Sequence, residues 1–416
     1  MGLTANPRLW AVDPVSVLAP GVALCLDTPA GRAPPPSNLT LRRPLMPRHV
    51  LITGGAGFIG AHVASRLLAA GTAVRLFDVL HPQVHDAPGR PSYLPADAEL
   101  VVGDVRDPAA VRSALRGADA VIHLAARVGV AQSMYDLAEY SGTNALGTAT
   151  LLQELVDSSV ERLLVASSMS IYGEGRYVDV AGRCHEDVTR SRVQVEAGRW
   201  DPVGADGAPL TPVATPESKT PRAHSAYALD KYYQERMCLT FGQTYKLPTT
   251  ALRLFNVYGP YQALSNPYTG VLANFATRLL NGRAPLIFED GNQRRDFVNV
   301  HDAARAFELA LDSPGAVGRA INIGSGRSLS VREAATRLAS VLDRSELGVE
   351  VTGRHRVGDI RHCFADVSVA QELLGYRPET DLDQGLRELA DWLEGRVAVD
   401  GLEQMAADLA GRGLTV

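Results

Sequence analysis

Cysteine is scarce in this 416-residue chain: Cys25, Cys184, Cys238 and Cys363 are all there is, and no two form a close pair. Such spacing gives neither a disulfide framework nor a zinc site, and it fits a reducing, cytoplasmic compartment. Charge of one sign is also lacking. With 46 acidic against 41 basic residues the formal charge is −5, and without a concentrated basic surface nucleic acid is not an expected partner. Long apolar runs are missing too. The first apolar stretch, Val15 to Leu26, is broken by Pro20 and is far too short to span a bilayer, so neither a membrane partner nor a targeting segment is expected. What the chain has is 38 Gly and 25 Pro in a composition that is 46% hydrophobic and 21% charged, that of a globular protein rather than a disordered or fibrous one.

The prolines are unevenly spread. Residues 1–45 carry Pro7, Pro14, Pro20, Pro29, Pro34, Pro35, Pro36 and Pro44 with no sustained period, and read as a disordered N-terminal extension. Met46 follows directly and reads as a natural translation start. From His49 the chain alternates: strand His49–Thr53, helix Ile59–Ala70, strand Ala73–Phe77, strand Leu100–Val102, helix Pro108–Leu115, strand Ala120–Leu124. This βαβαβ rhythm predicts an α/β fold with a doubly wound parallel sheet. It continues through a helix at Thr143–Val156, the strand Arg162–Ala166, a helix Tyr227–Tyr245 and the strand Thr249–Leu254, then loosens into a smaller lobe. The expected division is 46–255 for the parallel-sheet domain, 256–397 for the second lobe and 398–416 for a C-terminal tail. A polar, Pro/Gly-rich stretch from Glu174 to Arg222 is too long for an ordinary loop and reads as an insert. Its adjacent Cys184 and His185 have no second pair to close a tetrahedral site, so no metal is expected.

The first strand runs into Gly54-Gly55-Ala56-Gly57-Phe58-Ile59-Gly60 and then a helix. A strand-to-helix turn with glycines at 54, 57 and 60 lets backbone N–H groups approach a pyrophosphate, and the helix N-terminus adds its positive dipole end. Asp78, at the end of the second strand, stands at the right distance for a carboxylate that takes adenosine ribose hydroxyls. It would repel a 2′-phosphate, which favours NAD over NADP. Asp104, after the third strand, is placed near the adenine.

Tyr227 and Lys231 are four residues apart at the start of a helix, on one face and one turn apart. A phenol with pKa near ~10 is a poor base at neutral pH. A cation about 5 Å away in an effective dielectric near ~20 is worth roughly 3 kcal/mol, or about two pKa units, toward the phenolate. Tyrosinate could then remove a hydroxyl proton while hydride leaves the carbon. The strand Leu163–Ser168 delivers hydroxyls to the same edge of the sheet, where Ser168 can bond the reacting oxygen.

From about residue 48 to 395 the chain resembles the extended short-chain dehydrogenase/reductase family of nucleotide-sugar epimerases and dehydratases, which has a Rossmann-type sheet and a smaller C-terminal α/β substrate lobe. The matching segments are TGGAGFIG (Thr53–Gly60), HLAA (His123–Ala126), NALGT around Asn144, SSMSIYG (Ser167–Gly173), YALDK (Tyr227–Lys231), RLFNVYGP (Arg253–Pro260), RRDFVNVHD (Arg294–Asp302), NIGSG (Asn322–Gly326) and RVGD (Arg356–Asp359). The resemblance implies Ser168, Tyr227 and Lys231 as the catalytic trio, with Lys231 also holding the nicotinamide ribose. It places NAD against Gly54, Gly57, Phe58, Ile59, Gly60, Asp78, Asp104, Val105, Leu124, Ala125, Ala126 and Asn144. It assigns Ser168, Asn256, Arg295, Arg356 and Asp359 to a nucleotide-diphosphate sugar, the guanidinium forks suiting phosphate oxygens. It also implies a homodimer through the helices at Thr143–Val156 and Tyr227–Tyr245.

The family's reactions share one opening step, oxidation of a sugar hydroxyl to a ketone, and differ in their extra acids and bases. The 4,6-dehydratases of the family carry an acidic pair directly after the strand hydroxyl, and the decarboxylases keep a glutamate there. This chain has Met169 and Ser170, neither of which serves as an acid at neutral pH. A 4-epimerase needs no such group and is the expected activity; a decarboxylase or 4,6-dehydratase with relocated acids is the alternative, and a non-catalytic NAD-binding scaffold, against which the intact trio argues, is the remote one. VLHPQVH (Val79–His85), ARVGVAQSMYDL (Ala126–Leu137) and SSMSIYGEG (Ser167–Gly175), with the insert, look similar to bacterial dTDP-L-rhamnose 4-epimerases.

Overall fold

The computed structural model describes residues 49–85, 89–264, 266–268, 270–396 and 399–415, so the expected extension 1–45 and Met46 lie outside the described residues. Seven strands form the central sheet: β1 His49–Thr53, β2 Ala73–Asp78, β3 Glu99–Val102, β4 Ala120–His123, β5 Arg162–Ser168, β6 Thr249–Leu254 and β7 Ala320–Ile323. Their order is β7-β6-β5-β4-β1-β2-β3, and every pairing is parallel. Strands covered on both faces read as unbroken apolar runs, as β1, β4 and β5 do. The order reverses between β1 and β4, where Thr53 pairs with His123. Beyond the carboxyl ends of those two strands lies the crevice in which open α/β sheets bind ligands.

The helices that position the site are α1 Phe58–Ala69, α2 Pro108–Leu115, α3 Gly147–Leu155 and α4 Ala226–Tyr245. In the second lobe, α5 Val271–Leu280, α6 Val300–Asp312, α7 Val331–Val341 and α8 Leu382–Leu393 follow, with α9 Leu402–Gly411 after them. The expected helix at 143–156 is interrupted. A π-turn at Gly142–Leu146 precedes α3, and Asn144 within it is fully buried.

Three features of the organisation add to the expected division. The division at residue 255 does not separate the layers, because β7 completes the central sheet and α6 packs Ala304 and Phe307 into the same core as Ala61, Ala64 and Leu67 of α1. The insert carries its own strands. Arg176–Val178 pairs antiparallel with Cys184–His185 and with Thr211–Val213, over a small core of Tyr177, Val188 and Leu210. It is tied to the second lobe by charge: Arg190 Nη1 meets Glu289 Oε1 at 2.7 Å, and the fully buried Arg361 reaches Asp201 Oδ1 at 2.8 Å and Glu289 Oε2 at 2.9 Å. Residues 398–416, expected as a tail, contain α9, whose Leu402, Met405 and Leu409 pack on Ala131, Tyr135 and Tyr268. The chain then returns so that Leu414 O accepts from Val357 N at 2.9 Å.

Candidate active site

Gly54 leaves β1 at φ +67°, in the left-handed region that glycine adopts without strain. A Cβ there would stand 2.7 Å from Ala125 N, and one on Gly60 would stand 2.6 Å from the Gly54 carbonyl oxygen. The two outer glycines therefore let β1, β4 and α1 close on one another. Gly57 is less crowded: a Cβ would meet only Gly54 O, a tight contact at 3.3 Å. It is the N-cap of α1, whose first turn, starting with Phe58 and Ile59, holds no acidic side chain and no side-chain cap. First-turn N–H groups have no partner within a helix and suit an anion.

Asp78 braces this turn from β2. Its Oδ2 accepts from Ala56 N at 3.0 Å and its Oδ1 from Leu80 N at 2.9 Å. Asp104 is held by Arg106, which donates to Oδ2 from Nη2 at 2.7 Å, and this contact keeps the Asp104 carboxyl below the usual carboxylate range. Val105 beside it is buried against Gly147. On β4's exit, Leu124 N donates to Thr53 O at 3.0 Å and Ala125 N to Thr53 Oγ1 at 3.3 Å. One residue past Ala126, the backbone of Arg127 is clamped by the Asn144 amide, which accepts from Arg127 N at 2.7 Å and donates to Arg127 O at 3.1 Å.

Ser168 ends β5, and Ser170 donates to its Oγ from the hydroxyl at 2.8 Å. Tyr227 enters α4 with its N–H on Ser133 Oγ at 3.0 Å. Burial pushes the Tyr227 phenol above its ordinary value, and the Ser168 hydroxyl opposes that rise. The Lys231 ammonium meets Gln234 Oε1 at 2.8 Å, and burial pulls it down to about 8.

Asn256 Oδ1 is buried without a hydrogen-bond partner in the protein, an acceptor free to take a donor from a ligand or water. Arg356 Nε bonds Asp359 Oδ2 at 2.8 Å while its guanidinium lies 4.4 Å from the Phe288 ring centroid. Arg295 donates to the carbonyls of Ile360 at 2.5 Å and Arg361 at 3.0 Å, so it braces the segment that carries Asp359.

Residues 50–194 and 201–324 match the model of the NAD dependent epimerase/dehydratase family. The chain belongs to that family. It is 36% identical over 351 residues to a dTDP-L-rhamnose 4-epimerase of Burkholderia thailandensis, spanning 83% of this chain and 95% of that one. A UDP-glucose 4-epimerase of Thermotoga maritima solved with UDP-glucose is 30% identical with TM-score 0.68, over 83% of this chain and 98% of that one. A UDP-glucose 4-epimerase of Thermus thermophilus in complex with NAD is 30% identical with TM-score 0.66, over 84% and 100%.

NAD is the cofactor of this family, and the residues here fit it. Gly57 opens the turn where a pyrophosphate needs access, the first turn of α1 carries no competing acid, and Asp78 presents a carboxylate at the end of β2. Four residues at this site were given no role from the sequence: Thr53, Thr148, Ser133 and Gln234. The first three lie inside matched segments, and Gln234 stands three residues after Lys231, on the same face of α4.

Proposed function

We propose that this chain is a nucleotide-sugar 4-epimerase, acting on dTDP-L-rhamnose or a related deoxysugar nucleotide in the cytoplasm. The observation that carries the reading is the pair of neutral residues beside the trio. Ser170 Oγ lies 2.8 Å from Ser168 Oγ, and Met169 is packed with Ile171 and Phe255. The following carboxylate in the segment, Glu174, accepts from Arg361 N at 2.8 Å and Tyr177 Oη at 2.6 Å and is committed to the insert. Eliminating water or carbon dioxide needs an acid or base that this arrangement does not offer; inverting C4 does not.

In this reading Tyr227 takes the proton of the C4 hydroxyl while Ser168 bonds the same oxygen. Lys231 holds a positive charge near the developing phenolate and binds the nicotinamide ribose. NAD, when bound, accepts hydride from C4 and returns it. Gly54, Gly57, Phe58, Ile59, Gly60, Asp78, Asp104, Val105, Leu124, Ala125, Ala126 and Asn144 line its cradle. Asn256, Arg356 and Asp359 take the sugar nucleotide, with Arg295 fixing the 360–361 backbone. The 36% identity to a dTDP-L-rhamnose 4-epimerase supports the substrate class.

The same proposal includes a homodimer. Leu229, Tyr233 and Met237 recur every fourth residue on α4 and are exposed, an apolar stripe that a second copy would cover.

Incubation with dTDP-L-rhamnose, UDP-glucose and UDP-glucuronate separately, followed by NMR, tests the reaction. A C4 stereoisomer of equal mass is expected, and a product lighter by water or carbon dioxide overturns it.

A further inference from the structure

A buried chain of polar side chains runs from the glycine turn to the catalytic helix. Thr53 on β1, His123 on β4, Thr148 on α3, and Gln234 and Lys231 on α4 are each no more than 4% exposed. Thr148 Oγ1 lies 2.6 Å from Asn144 O, which only accepts, so the hydroxyl donates there. His123 Nε2 lies 2.9 Å from the same Oγ1 and 3.2 Å from Gln234 Nε2, and its Nδ1 lies 2.7 Å from Thr53 Oγ1.

The Gln234 amide is oriented by the same logic. Its Nε2 lies 2.8 Å from Thr148 Oγ1 and 3.3 Å from Ala125 O. A carbonyl oxygen can face only the NH2 end, and the flipped amide would set two acceptors against each other. The oxygen is thus aimed at Lys231, where Oε1 meets Nζ at 2.8 Å.

We propose that Gln234 is the positioning residue of Lys231, its amide clamped by Thr148 and the Ala125 carbonyl so that the ammonium is held at a fixed point on the catalytic face of α4. This rests on the reading that Tyr227 and Lys231 do the chemistry. An acceptor for the charged form favours that form, and here it opposes burial, which pulls Lys231 down to about 8. The other ionisable groups nearby have their own places. Asp230 receives Ser141 Oγ at 3.0 Å, Glu235 receives Arg253, and the Cys238 thiol is pushed up to about 12 by burial. His123 from β4 stays neutral, and Tyr227 and Tyr140 stand above their ordinary values through burial.

The test uses the holoenzyme with two substitutions of nearly equal volume. Gln234→Met removes donor and acceptor. We expect kcat to fall about ten- to a hundredfold with KM for the nucleotide sugar within about twofold. The alkaline limb of the kcat profile, which follows loss of the Lys231 proton, should move down by about one pH unit. Exchange of bound NAD against labelled NAD, which needs no turnover, should accelerate. Gln234→Glu places an anion beside Nζ and should move the alkaline limb up. Opposite displacements from two similar side chains are not produced by a packing role. If both variants keep the wild-type pH limbs and NAD exchange, and lose only melting temperature, the inference is overturned. Tyr227→Phe and Lys231→Met serve as controls: near-normal turnover in both overturns the reading of the site itself, whereas inactivity in both, with Gln234 variants of wild-type pH behaviour, overturns this inference alone.

Discussion

Arg253 and Glu235 are joined through both arms of the guanidinium, Nε to Oε2 at 2.9 Å and Nη2 to Oε1 at 2.7 Å. The pair is buried, and it pins α4, which carries Tyr227 and Lys231, to β6. Ser167 of β5 adds its hydroxyl to Glu235 Oε2 at 2.7 Å. Removing one partner leaves an uncompensated buried charge. Arg253→Met or Glu235→Leu alone should cost about 3–5 kcal/mol of stability. The double substitution should cost less than the two singles added together, because neither charge is stranded. Urea unfolding of the three variants checks this, and strict additivity would refute coupling.

Tyr227→Phe keeps the ring and its packing but deletes the proton acceptor. Turnover should fall by roughly 10²–10⁴-fold while NAD stays bound, since the glycine turn and Asp78 are untouched. Steady-state rates and the NAD content of the purified variant measure the two effects separately. A variant with near-normal kcat would remove Tyr227 from the role of base.

His123 and His62 set an acid limit. Burial pulls the first down to about 3 and the second to about 4. Both are depressed bases, so the unfolded chain, titrating near ~6.5, binds more protons than the folded one below that pH. Their contribution is complete above about pH 6.5 and is lost as pH falls, at up to roughly 1.4 kcal/mol per pH unit for each group. Both act down to about pH 4 and His123 alone continues to about pH 3. Melting temperatures between pH 4 and 7 should drop accordingly, with a shallower slope in His123→Asn. Equal slopes in the two proteins would exclude His123 as a source.

Gly54→Ala meets two obstacles. The backbone is at φ +67°, and the new methyl would sit 2.7 Å from Ala125 N and 2.8 Å from its Cα, both rigid parts of β4's exit. The variant should lose about 1–3 kcal/mol of stability and most of its bound NAD. A Gly57→Ala variant, at φ −72° and with Gly54 O as the one close neighbour of its Cβ, at 3.3 Å, should lose less stability than Gly54→Ala and lose mainly NAD affinity. Thermal unfolding and NAD titration of the pair distinguish these outcomes; equal stability losses would contradict the assignment of separate roles.

What could be read from the sequence follows how local each determinant is. Strands β1, β4 and β5 announce themselves as apolar runs, and the glycine turn lies within seven residues. Ser168, Tyr227 and Lys231 stand out as candidates because each lies in a motif carried by its own element. The attachment of the insert is not legible in the sequence, since its anchor joins Glu174 to Arg361 across 187 residues and no local period records that. Lys231 was found but not its direction, because Gln234 is oriented by Thr148, 86 residues away. The stretch after residue 398 reads as a tail because the partners of Leu402, Met405 and Leu409 lie at Tyr135 and Tyr268.

Leu229, Tyr233 and Met237 are 58%, 36% and 37% exposed on the outer face of α4, and Leu146 at the π-turn nearby is 58% exposed. Leu229 shares its turn with Tyr227 and Lys231, so the inner face of one helix holds the proposed catalytic groups and its outer face exposes Leu229, Tyr233 and Met237 beside Arg236. A two-fold contact would bring α4 against its copy, each stripe covering the other. Placing charges there, as Tyr233→Glu with Met237→Lys, leaves the buried face unchanged but sets desolvated charges at the centre of the contact, where substitutions cost most. Light scattering should give twice the chain mass for the parent protein and the single chain mass for the variant. If the parent protein is monomeric at micromolar concentration, or the variant keeps the doubled mass, the stripe is not the dimer contact.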